Sequence, residues 1–97
     1  MKKSDNDAIM ATVAVKTDRQ LRREKAESAI RKTAELWPSG IVARGEIPAF
    51  TGGAIAVGTI ANADSRGEGP EGSFKIGRNK CYSKDPLVDW IISKLEV

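Results

Sequence analysis

The stretch GSFKIGRNKCYSKDP, Gly72 to Pro86, carries Lys75, Arg78, Lys80 and Lys84 and no acidic residue before Asp85. Phe74 and Ile76 alternate with Lys75 in a period of two, which predicts a strand. Gly77-Arg78-Asn79 supplies turn residues, and Lys80-Cys81-Tyr82 returns as a second strand. The result is a basic hairpin. Ser83 then caps a last helix, KDPLVDWIISKLEV, with Pro86 in the first turn, where a missing N–H costs nothing. Leu87, Trp90, Ile91 and Leu95 recur at helical spacing along it and are expected in the core.

Upstream, AIAVGTIANADSRGEGP (Ala54 to Pro70) predicts a helix from Val57 to Ser65 with a glycine-rich exit at Gly67, Gly69 and Pro70. Before it lies IVARGEIPAFTGG, with Ile41, Val42, Ile47 and Phe50 as its apolar positions. Gly52-Gly53 ends any helix these residues form, and Pro48 keeps that helix short unless it sits in the first turn. Two short helices joined by a glycine-containing turn form the skeleton of a helix-turn-helix.

Pro38-Ser39-Gly40 is a turn and the natural boundary ahead of this unit. The segment before it, DRQLRREKAESAIRKTAELW, runs without glycine or proline. Thr17 with Gln20 makes a capping-box pattern, and Asp18 suits the positive end of the helix dipole. Residues 17–37 therefore read as a charged helix whose Ile30/Trp37 end docks on the core. Arg19, Arg22 and Arg23 are free for a dimer contact or for flanking DNA. Residues 1–16 read as a flexible N-terminal segment. Within it AIMATVAV, Ala8 to Val15, fits a short strand, a pairing segment for a second subunit, or a disordered lead-in alike.

The 97 residues hold 16 Lys/Arg, 13 Asp/Glu, no histidine and one cysteine. Absence of histidine removes the commonest general base and metal ligand, and a lone Cys81 makes neither an intramolecular disulfide nor a cysteine zinc site. Ser65, Ser73, Asp64 and Glu68 stand with no base. GEGPEG and TGG lack the lysine-serine ending of a phosphate loop. No enzyme, cofactor or metal is expected, and no apolar run approaches a membrane span, so a soluble cytoplasmic protein is. Residues 44–97 hold seven basic and seven acidic residues. That half is neutral overall, so its positive charge is concentrated in the hairpin rather than spread.

The ordered set of helix, turn, helix, SRGEGP, basic two-stranded hairpin, and a final helix opening Tyr82-x-x-Asp85-x-Leu87-x-x-Trp90 resembles the winged helix-turn-helix of the excisionase and AlpA-like regulators, a MerR-related DNA-binding group. The likeness covers about Ile41 to Leu95. It implies a mainly α fold with a small β-hairpin, a winged helix-turn-helix domain at residues 41–97, and a phage or mobile-element protein. Such a protein binds double-stranded DNA as a recombination directionality factor or transcriptional regulator. It works with an integrase or RNA polymerase, as a homodimer or a cooperative multimer on DNA. Ala56 and Gly58 stand where the family carries a Ser/Thr cap and a basic residue.

On that pattern Ile60 and Ala63 or Ala61 point inward, while Thr59, Asn62 and Arg66 share the outward side of the second helix. Asn62 suits adenine, Arg66 guanine or a phosphate, and Thr59 a phosphate or a thymine methyl. Lys75, Arg78, Asn79, Lys80 and Lys84 are the expected backbone contacts, since an acid there would repel phosphates. Two alternatives use the same residues differently. Lysine and arginine also protect a sheet edge from aggregation, and the N-terminal helix would serve a protein–protein adaptor without DNA binding.

Overall fold

Thr17 and Gln20 close the first helix reciprocally. The Gln20 N–H donates to the Thr17 hydroxyl at 3.1 Å, and the Thr17 N–H donates to Gln20 Oε1 at 2.9 Å, the capping box that the spacing predicts. The computed structural model describes residues 16–97, so the readings of residues 1–15, Ala8 to Val15 included, lie outside the described residues. Helix α1 spans Asp18–Leu36 and ends at Trp37, ahead of Pro38. Its ion pairs, Lys16–Glu24 and Arg23–Glu27, are exposed and worth at most about 1 kcal/mol each. No residue of α1 is buried. The helix rests on the core through Ile30, Ala34 and Trp37, with Trp37 edge-on to Phe50 at 5.2 Å between ring centroids.

The rest of the chain runs as strand β1 (Ile41–Ala43), a 3-10 turn (Arg44–Glu46), helices α2 (Ile47–Phe50) and α3 (Val57–Ser65), strands β2 (Phe74–Ile76) and β3 (Asn79–Ser83), and helix α4 (Lys84–Ser93). The fold is mainly helical with a small three-stranded antiparallel sheet in the order β1-β3-β2. This enlarges the expected two-stranded hairpin. Ile41 lies opposite Ser83, Val42 opposite Tyr82, and Ala43 opposite Cys81. Three residues show no alternation of their own, so β1 is fixed by its distant partner and by complete burial of Val42. Pro48 sits in the first turn of α2.

In the hairpin, Phe74 faces Cys81, Lys75 faces Lys80 and Ile76 faces Asn79. Asn79 therefore belongs to the ladder rather than the turn, leaving Gly77-Arg78 as a two-residue loop. Gly77 has φ of +63° and Arg78 does not have a positive φ. That is the type II′ pattern, whose twist matches a hairpin and whose first central position calls for glycine.

Val42, Ile47, Phe50, Ile60, Tyr82 and Leu87 are fully buried and form the centre of the core. Trp90 and Ile91 join them from α4 as expected, together with Val88. Leu95 lies past the end of α4 and is only half-buried. Ser83 occupies the N-cap position of α4 but makes no side-chain capping bond. The Lys84 N–H instead donates to Gly40 O at 2.9 Å, because β1 runs alongside. Trp90 Nε1 donates to Glu68 O at 2.8 Å, tying α4 to the loop that leaves α3. Among the described residues no helix is long and apolar enough to cross a membrane.

Candidate nucleic-acid interface

Asp64, on α3, holds the helix to the sheet. Its Oδ2 accepts from the Tyr82 hydroxyl at 2.5 Å and from Arg44 Nη2 at 2.6 Å, while Arg44 Nε donates to Tyr82 Oη at 3.1 Å. Three elements, α3, β3 and the 3-10 turn, are thereby locked by one closed network. Burial first, and the hydrogen bond to Asp64 second, push the Tyr82 phenol up to about 12. The bonds to Tyr82 and then Asp64 raise Arg44 above its ordinary value, so its guanidinium is permanently charged. Gly69 packs against this site: a Cβ there would lie 1.9 Å from Asp64 Oδ1. The SRGEGP exit is thus shaped by the carboxylate it passes.

The network sets the spacing between α3 and the hairpin, and between them lies an open cleft of about 560 Å³. Lys75, Arg78, Asn79 and Lys80 form one wall. Val57, Ala61, Asp64 and Ser65 of α3 form the other, with Ala43, Arg44 and Gly45 between them. Lys75 and Lys80 are direct cross-strand neighbours. Among the described residues neither they nor Arg78 has an ion-pair partner; the ion pairs are Lys16–Glu24, Arg23–Glu27, Arg44–Asp64 and Arg66–Glu68. Arg44 also borders the cleft, its side chain 29% exposed, but its charge is matched there by Asp64.

The structure therefore brings four of the expected backbone-contacting residues into one place. Ile60 and Ala63 point inward as expected, and Thr59, Asn62 and Arg66 are exposed, but none of these three borders the cleft. They lie on the other flank of α3. Helical phase predicts which side is buried, whereas the flank facing the hairpin is decided by the Asp64–Tyr82 lock. Arg66 moreover caps the C-terminal end of α3 and pairs with Glu68 at 3.0 Å.

Lys84, the fifth expected backbone contact, lies apart from these four. Its ammonium donates to Ala34 O at 2.6 Å and Trp37 O at 3.0 Å, so it closes the C-terminal end of α1, where free carbonyls and the helix dipole attract a cation. Arg44 and Val57 are cleft residues that the sequence does not single out. A single arginine between a strand and a turn carries no local signal.

Ala56 is the N-cap of α3 and provides no side-chain acceptor, as its methyl dictates. Compared with known proteins, the chain matches no family model, no curated protein and no solved structure.

Proposed function

We propose that this chain binds double-stranded DNA as a winged helix-turn-helix, with α2 and α3 as the helix pair and β2–β3 as the wing. The observation that carries this reading is the Lys75–Lys80 pair, set side by side and joined by Arg78 along a cleft open to a partner. Like charges directly opposite in a ladder are destabilising. A phosphate backbone supplies the missing negative charge and releases counterions as it binds. A thin, positive hairpin tip can follow that backbone or enter a minor groove. From its sequence likeness to the excisionase and AlpA-like group, we assign it to recombination control or transcriptional regulation in a phage or mobile element.

The test is fluorescence anisotropy with random-sequence duplex at low and raised salt. Binding is expected to weaken with a log–log slope of roughly −2.7, for about three phosphates neutralised by Lys75, Arg78 and Lys80. No binding even at low salt contradicts the proposal. A second reading, a protein–protein adaptor, draws on a different feature. An apolar groove of about 520 Å³ runs between α1 and the core, lined by Ala26, Ile30, Phe50, Ile55 and Ile91. An adaptor would bind its partner there without salt-sensitive capture of DNA.

A further inference from the structure

The flank of α3 that faces the hairpin differs chemically from the Thr59–Asn62–Arg66 side. Val57, Ala61 and Ser65 stand at i, i+4 and i+8 and border the cleft, so they form one line along the helix. Val57 is 38% exposed, which leaves its methyl groups free for a partner. Val57 and Ala61 carry no polar group, the Ser65 hydroxyl donates to Asn62 O at 3.1 Å, and the neighbouring Asp64 carboxylate is held by Arg44 and Tyr82, so the line offers a base edge mainly apolar surface.

Gly58 adjoins this line in the exposed first turn. Glycine there weakens a helix relative to alanine, and nothing in the fold asks for it. A Cβ added at Gly58 meets no heavy atom within 4 Å. Gly58 does not itself line the cleft, but next to Val57 its missing side chain leaves the helix backbone bare to an approaching partner.

Resting on the proposal that the cleft takes duplex DNA, we infer that α3 reads thymine methyl groups by apolar contact through Val57 and Ala61. Gly58 lets the helix lie close enough for that contact. The C5-methyl of thymine projects into the major groove, where small apolar side chains meet it. The basic wall opposite holds the phosphates, so charge and methyl recognition divide between the two sides of one cleft.

The test compares an alternating dA-dT duplex with the same duplex carrying deoxyuridine for every thymidine. This exchange removes the methyl and leaves the charge and the hydrogen-bonding edges unchanged. With the full chain in anisotropy, the uracil duplex is expected to bind roughly three- to four-fold more weakly per methyl buried. Val57→Ala narrows that ratio. Gly58→Ala raises the melting temperature yet weakens binding to both duplexes. Equal affinity for the two duplexes, each salt-sensitive, overturns thymine reading and leaves DNA binding standing. A ratio that survives Val57→Ala but vanishes in Asn62→Ala also overturns it, whereas no binding to either duplex at low salt overturns both proposals.

Discussion

Lys75 and Lys80 face each other directly across β2 and β3, and among the described residues no acid pairs with either. The repulsion works against the hairpin in the free protein. Lys75→Glu turns it into attraction and is expected to stabilise the fold by about 0.2–1 kcal/mol, read as a rise in melting temperature. The same variant loses affinity for duplex DNA. Loss of both stability and binding would show that Lys75 supports the fold instead.

Gly69 and Asp64 provide a second test. Gly69→Ala puts a methyl where Asp64 Oδ1 lies. A carboxylate tip can usually swing aside, but this one is held by Tyr82 and Arg44. Displacing it breaks hydrogen bonds at a mostly buried site, and the expected cost is about 1–3 kcal/mol in urea unfolding. An unchanged midpoint would show that the network yields freely.

Much of this fold is legible in the sequence because its signals are local. The Thr17–Gln20 box, the Val57–Ser65 helix, the Gly77 turn and the Leu87–Trp90–Ile91 stripe each declare themselves within a few residues. Strand β1 does not, since Ile41–Ala43 is defined by pairing with a strand some forty positions away. The Arg44–Asp64–Tyr82 network joins three separate elements and leaves no pattern in any of them. For the same reason the basic wall of the cleft could be read from its charge, while the flank of α3 opposite it could not.

Tyr82 gives the fold a pH limit. Its phenol is fully buried, and its folded value is raised to about 12 from an ordinary 10.0. The neutral form is thus favoured in the folded state. That stability is fully present below pH 10 and is lost as the pH climbs from 10 towards 12, by up to roughly 3 kcal/mol. Chemical denaturation across that window should show the decline, and Tyr82→Phe should lack this component while being less stable at neutral pH. A wild-type profile parallel to that of Tyr82→Phe would contradict it.

Lys84 separates support from recognition. Lys84→Ala removes two charge-assisted bonds to the end of α1, and the expected destabilisation is about 1–3 kcal/mol. The salt slope of DNA binding should stay at the wild-type value. A reduced slope would return Lys84 to the phosphate contacts.

The most direct measurement is the salt slope of the Arg78→Ala/Lys80→Ala double variant on random-sequence duplex. Two lost phosphate contacts predict a slope shallower by about 1.8 and weaker binding at low salt, with the melting temperature at or above the wild-type value. An unchanged slope and affinity would contradict the hairpin as the phosphate-gripping element.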